Sequence, residues 1–570
     1  MRGVHPLTEQ RKILLIFSLL LALLLPGASL VLAAPADLTP AQIQELGERM
    51  YREGVLPSGE IMQAYVSGDV PVDGSAFTCV SCHLHSGLGS IEGEVTTPPT
   101  NGRILYEPRE PYIKGFEHVP SYSNYAKYLP VRPAYTDESL GALIATGIDP
   151  TGRSVLHVMP RYDIGEKDMA ILIAYLKTLS DKHSPGVTDE VIHYATVIVE
   201  GTDPLAVKSM LMPLQFGVDR KNSLARAAIN NDRMARMAYN MLGPDLMAKK
   251  FTLDQWVLKG PSDTWRAQLD AYYQKQPVYA LLGGISQGDW EPVHRFCEEN
   301  RIPDLFPVVD YPVISDKDWY TIYLSHGIRQ EGEAAARYLN SIKGLLRGSP
   351  IVQVFRANRH GEALAEGFRA TWKSLGNPVI AEVGITAEEP LTAERLQKVV
   401  ADLKPAALVV WDDASALPAL NALAQTPSHP QFMFASATWL DQDLYSLQDP
   451  LRSLLFMTYP YRLPQEDVRF NTALNKVLRG QRLSDYNPQV LKKAYIANEV
   501  LGDALMEMRS EYYRDFLLDT IGMMEDAYLP LYDRLTFGPG QRYASKGCYI
   551  VQLGSGDKPQ LERRSEWLIK

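Results

Sequence analysis

Apolar positions along the 570-residue chain fall into three regimes. The first is the nearly unbroken run "ILLIFSLLLALLL", which starts at Ile13. The second has helical spacing. In "LTPAQIQELGERMYREGVLPSG", Ile43, Leu46 and Met50 share a face behind the helix start Thr39-Pro40, and in "DMAILIAYLKTLS", Leu172, Tyr175, Leu176 and Leu179 share another. The third begins after "DKHSPGVTDE", where short β-branched runs alternate with amphipathic helices. The runs are "VIHYATVIVEG", "VYALLGG", "PIVQVFR", "NPVIAEVGI", "AALVVWDD", "QFMFAS" and "LRSLLFMTY"; the helices include residues 203–230 and "GEALAEGFRATWKSLG". Such alternation predicts parallel sheets covered on both faces, and there are enough strands for two.

At roughly 100–200 residues per domain the length suggests about three compact units. Apolar residues at 46 % and charged ones at 22 % exclude a disordered, collagenous or polytopic membrane chain. A formal charge of -10 offers no basic field to phosphates, so a nucleic-acid partner is not expected. Arg2, Arg11 and Lys12 precede the first apolar run, which breaks at Pro26-Gly27 and closes on small residues. That layout predicts a secretory signal peptide over residues 1–33, cleaved after Ala33; the alternative is an uncleaved anchor, the one route to the membrane. Cys79 is the first cysteine, which excludes lipid attachment at a new N-terminal cysteine. The expected location is a bacterial periplasm.

Chemistry enters at "FTCVSCHLHSG", where Cys79, Cys82 and His83 stand together. Outside the cytoplasm two such cysteines can simply form a disulfide. The adjacent histidine points elsewhere, because Cys-x-x-Cys-His is the spacing of c-type haem attachment: two thiols add to the vinyl groups and the imidazole takes the iron. A zinc site would want a second pair nearby, and Cys297 and Cys548 are remote. A thioredoxin-type pair would follow a strand in a βαβ setting, which "SGDVPVDGSAFTCVSCH" does not provide.

With its flanking helices this motif resembles a class I monohaem cytochrome c, and the resemblance implies an all-α domain over residues 37–182 holding one covalent haem c. In that class a glycine of the first helix meets an aromatic of the last, and Gly47 and Tyr175 are the matching positions. The class places Met-Pro just before the last helix, which makes Met159 the second axial ligand of the haem iron, with His157 as its rival and His85 and His118 behind it. Met/His ligation raises the potential and leaves no open position, so electron transfer to a redox partner protein is the implied role. Residues 96–133, rich in Pro and Tyr, are expected to cover the haem.

After a linker at 183–190, residues 191–570 are similar to type I periplasmic binding proteins, the ABC-transporter substrate-binding receptors of the branched-chain amino-acid kind. The segments "YALLGGISQGDWEPVHRFCEENRIPDLFPVV", "TIYLSHGIRQEGEAAARYL", "VFRANRHGEALAEGFRATWKSLG" and "LTFGPGQRYASKGCYIVQL" carry the resemblance as a series. It implies two lobes joined by three crossings, near residues 324–327, near Tyr459-Pro460 and before the last hairpin, with a small-molecule ligand in the cleft. By matched position the contacts are Ser286, Gln287, Tyr311, Arg356, His360, Asp412, Asp413 and Ser436. The acidic residue that grips an ammonium group in amino-acid receptors is missing from "SATW", leaving Asp412 or Asp413 as substitutes and a standard amino-acid ligand in doubt. Trp290 and Trp439 lie near the same loops, Trp411 is expected to be buried packing, and Cys297 and Cys548 are expected to be separate buried thiols.

The expectation is therefore an exported electron-transfer cytochrome with a receptor-like module for docking or ligand binding. The alternative is a periplasmic solute or sensory receptor whose ligand binding is coupled to a haem. No nucleophile–base pair supports an enzyme.

Overall fold

Thr39 and Gln42 start the first helix by satisfying each other's backbone: the Gln42 N–H donates to Thr39 Oγ1 at 3.3 Å and the Thr39 N–H to Gln42 Oε1 at 2.9 Å. The computed structural model to which this helix belongs describes residues 38–569 apart from 68, 94, 111–128, 230–231, 316, 346–348, 539–540 and 557. The expected signal segment, His118 and half of the 96–133 loop lie outside those residues. The chain divides into two compact units, Met1–Lys182 and His183–Lys570.

In the first unit the Pro40–Glu53 helix packs against the Glu166–Thr178 helix. Gly47 makes the approach possible, because a Cβ there would lie 2.4 Å from the Tyr175 Cβ. Above this contact the Tyr51 and Tyr175 rings pack at 5.6 Å, and both belong to a buried core with Met50, Leu140, Ile171 and Leu172. The unit is not all-α. Strands Val70–Asp73, Gln63–Val66 and Arg161–Asp163 form an antiparallel sheet, and Ser90–Glu92 pairs with Val95–Thr97. These strands are three or four residues long and mostly exposed, too short to print a period of two on the sequence.

The second unit holds two sheets. One is wholly parallel, in the order Tyr543–Ser545, Thr321–Ser325, Asp304–Leu305, Ala280–Leu282, Val191–Val199, Lys250–Leu258. The other runs Ala381–Ile385, Ile351–Arg356, Ala407–Trp411, Phe432–Ser436, Leu455–Tyr459 in parallel and then turns antiparallel at Gly547–Leu553 and Leu561–Arg563. Its strands read as continuous apolar runs because both faces are covered. Val352, Leu408 and Met433 enter one core, and Ile351, Val409 and Phe434 the other.

The chain passes between these lobes where the sequence places the crossings. The first lies between strand Thr321–Ser325 and helix Arg329–Ser341. The second follows Leu455–Tyr459 and leads to the Pro488–Met508 helix, which packs on Pro204–Ile229 of the first lobe. At the third, Lys546 alone separates strand Tyr543–Ser545 of one sheet from Gly547–Leu553 of the other. Gly327, with φ +66°, lets the first crossing turn against Asp310, whose carbonyl oxygen would be 2.3 Å from any Cβ there.

Candidate functional site

Two places concentrate chemistry. The first is the turn Val80–His83, capped by Cys79, where the His83 N–H donates to the Cys79 carbonyl at 2.9 Å. One helical turn thus carries both thiols and the imidazole, and both cysteines are free. Burial pushes the Cys79 thiol up to about 12, while Cys82 is exposed. His83 is buried, and its Nδ1 hydrogen-bonds the Pro98 carbonyl at 2.8 Å. That contact fixes the ring and leaves Nε2 as the nitrogen for a metal. Burial also lowers the His83 pKa to about 4, so the imidazole is neutral, as an iron ligand must be.

The strand that follows Met159 reaches this turn. Tyr162, three residues on, donates its hydroxyl to the Phe77 carbonyl at 2.5 Å. Met159 is partly buried, with its carbonyl taken by Arg161, whereas His157 is exposed and His85 partly buried. Nearby in the chain, Leu156 and Val158 are 67 % and 61 % exposed, so the segment presents apolar surface as well as a thioether. Two free thiols and a neutral, oriented imidazole on one turn are groups that could hold a covalent haem.

The second place is the cleft between the lobes of the His183–Lys570 unit, about 460 Å³ in volume. Asp310, Tyr311, Pro312 and Ile314 line it from the first lobe, His326 and Arg329 from the crossing, and Ala363 and Glu366 from the second lobe. The Arg359 guanidinium lies 4.1 Å over the Tyr311 ring, so the lobes touch through a cation–π contact. His360 packs its ring 4.1 Å from that of Trp439, and its Nε2 is buried with no hydrogen-bond partner.

Most of the remaining expected contacts have structural partners of their own. Arg356 and Asp412 form a buried two-point ion pair, Nε to Oδ1 at 2.9 Å and Nη2 to Oδ2 at 2.5 Å, and the hydrogen-bonded Asp412 carboxylate raises the Arg356 pKa above its ordinary value. They are not the solvated strand-end residues their positions suggest. Asp413 accepts from the Ser415 N–H at 2.9 Å and so caps the next turn. Ser286 closes its own loop, accepting from the Gly288 N–H at 3.0 Å and donating to the Asp289 carbonyl at 3.1 Å; Gln287 is exposed. Trp290 and Trp411 are fully buried, spending their N–H groups on Asp304 and Gln353. Cys297 and Cys548 are buried free thiols, which burial raises well above the usual value.

Ser436 leads to a residue that the sequence did not single out. Its hydroxyl donates to Glu331 at 2.8 Å, Thr458 does so at 2.6 Å, and Thr438 binds the other carboxylate oxygen. Glu331 is 1 % exposed, and burial raises its pKa to about 7 against the pull of the three hydroxyls. A buried carboxyl group therefore stands beside the "SATW" loop after all, supplied by the helix of the first crossing. Also missed are Lys493 and Tyr461, which follow the second crossing and feel the charge of Asp310, and Tyr532, whose ring lies 5.6 Å from that of Tyr461.

No family model and no curated protein matches the chain. Several solved structures resemble it. An ABC transporter substrate-binding protein from Sphaerobacter thermophilus is 14 % identical, with a TM-score of 0.48 over 67 % of this chain and 98 % of its own. A periplasmic binding protein type 1 from Bordetella pertussis, also 14 % identical, gives 0.46 over 66 % and 100 %. A leucine binding protein from Thermotoga maritima gives 0.44 at 14 % identity over 66 % and 98 %. All three scores lie below 0.5; the two lobes and the cleft are defined by this chain's own strand order and crossings.

Proposed function

We propose that the chain is an extracytoplasmic small-molecule receptor of the periplasmic binding protein kind, with a haem-attachment unit ahead of it. The cleft carries this reading. It lies where the chain crosses between two α/β lobes, and both lobes contribute polar and aromatic side chains to it. Ligands of open α/β sheets bind at such strand-end crevices. A ligand that touches both lobes favours the closed form by the difference in its affinity for the two. At a hundred times its Kd it stabilises the folded unit by about 2.7 kcal/mol.

A thermal-shift screen of the full chain against charged and neutral metabolites tests this reading, followed by small-angle scattering on each hit. At least one compound is expected to raise the melting temperature and reduce the radius of gyration. A screen without a single hit in any charge class contradicts the receptor.

The Cys79–His83 turn favours a second role in the same molecule. Its free thiols and oriented imidazole fit one haem c, attached through Cys79 and Cys82 and held by His83 and Met159. Bound there, the haem supplies a one-electron iron couple. His83 would take the iron with Nε2 while the Pro98 carbonyl holds the ring, and Met159, in the segment that Arg161 anchors, would be the second ligand. Electron exchange with a redox partner, or a haem-coupled response to the cleft's ligand, follows from that attachment. The signal segment read in the sequence supports a periplasmic location for both roles.

A further inference from the structure

Tyr311 lines the cleft from the first lobe and meets the second lobe directly, through the Arg359 guanidinium 4.1 Å over its ring. The two ends of this contact are anchored independently. On the first lobe, the Ile328 N–H donates to the Asp310 carbonyl at 3.2 Å, and Gly327 packs so closely that a Cβ there would stand 2.4 Å from Pro312. Tyr311, between Asp310 and Pro312, is therefore held against the first crossing. On the second lobe, Arg359 opens the Arg359–Ser374 helix between two fixed neighbours. Asn358 caps that helix, its Oδ1 accepting from the Gly361 N–H at 3.0 Å, and the His360 ring packs 4.1 Å from that of Trp439.

The guanidinium has no competing ion pair. Nearby in the chain or the cleft, Arg329, Arg356 and Arg369 are tied to Glu333, Asp412 and Glu382. Arg359 is exposed and, among the described residues, has no carboxylate at ion-pair distance; the Tyr311 ring is its contact. A cation is drawn to a ring face only within about 6 Å of the centroid. Lobes that part at the crossings by more than the small remaining margin lose the attraction outright, and lobes that close regain it.

We infer that Arg359 and Tyr311 form a latch across the cleft, which draws the two lobes together and must release for the cleft to open. The inference concerns the lobes alone and does not depend on what the cleft takes up, so its failure leaves the receptor reading standing and an empty metabolite screen leaves the latch standing. A partly exposed cation–π contact favours the closed form by about two- to fivefold. A factor of this size biases the lobes without locking them, since moving two states from 1:99 to 99:1 takes about 10⁴-fold. The latch thus sets the resting balance of the lobes and leaves the decision to a ligand.

A double-mutant cycle on the full chain provides the test. Tyr311→Leu, Arg359→Met and the two changes together are compared with the wild type by denaturant unfolding of the His183–Lys570 unit and by small-angle scattering. The unfolding constants of the two sites should couple by about two- to fivefold, and each variant should have a larger radius of gyration than the wild type, with the double variant no larger than either single one. Tyr311→Phe keeps the ring and removes only the hydroxyl, and should match the wild type in both measurements. Tyr311→Lys sets cation against cation and should open the lobes furthest. Strictly additive losses in the cycle, a Tyr311→Phe protein that behaves like Tyr311→Leu, or a radius of gyration that stays unchanged even in Tyr311→Lys overturns the latch.

Discussion

The haem-attachment turn and the inter-lobe cleft are built on opposite plans. Cys79, Cys82 and His83 lie within one helical turn, so local backbone alone brings them together. The cleft draws Asp310, Tyr311, His326, Arg329 and Glu366 from distant parts of the chain, and only two sheets and their crossings assemble them. A site of the first kind survives whatever the rest of the molecule does. A site of the second kind is as adjustable as the hinge that makes it, which suits a receptor that must open and close.

The largest effect belongs to the contiguous site. Replacing Cys79 and Cys82 together by serine should abolish covalent haem completely: wild-type protein made with a cytochrome c maturation system keeps haem through denaturation, and the variant should release it into acidified organic solvent. Haem that extracts from the wild type would break this half of the comparison. Met159→Ala should remove the near-infrared sulfur-to-iron band of the oxidised protein; if the band persists, another residue is the ligand.

Next in size is the buried Arg356–Asp412 pair. Asp412→Leu alone strands a guanidinium that is 5 % exposed and should cost about 3–5 kcal/mol, whereas Arg356→Met with Asp412→Leu should recover most of the loss. Denaturant unfolding of the three proteins reads this directly. Equal losses in single and double variants would mean that the pair contributes more than charge compensation.

Glu331 gives a pH dependence of up to about 3 kcal/mol. Its folded pKa, about 7, is raised above the ordinary 4.5, so the folded unit holds the proton more tightly than the unfolded chain. The stabilisation is full below the unfolded value and is lost as pH rises through the folded one. The melting temperature of the His183–Lys570 unit should therefore fall between about pH 5 and 7. Glu331→Gln should flatten that part of the profile; an unchanged slope would assign it elsewhere.

The smallest effect tests the helix contact of the first unit. Gly47→Val places methyl groups where even a Cβ would stand 2.4 Å from Tyr175, and should destabilise the unit by about 1–3 kcal/mol, read from its thermal melt. A neutral result would show that the helices separate freely.

The same contrast explains what the sequence made legible. Cys-x-x-Cys-His, the Thr39 cap and the Gly47–Tyr175 contact follow from spacing along single helices, and the crossings from the alternation of strands with helices. The small sheet of the first unit leaves no trace in the sequence because Tyr65 pairs with Arg161 across most of the unit, through strands too short and exposed to show a pattern. Glu331 was hidden in "RQEGEAAARYL", where it reads as one more charge on a helix, although it points inward to hydroxyls from two strands. Arg356 and Asp412 looked like free strand-end contacts because pairing between neighbouring parallel strands leaves no mark on either segment. Lys493 carries no local signal, since what distinguishes it is the charge of Asp310, remote in the chain.

Native mass spectrometry of the protein purified from its own host reads both sites at once. The expected result is a polypeptide carrying one haem that survives denaturation, together with a small molecule that denaturation releases. A chain that carries no haem and releases no small molecule would contradict it.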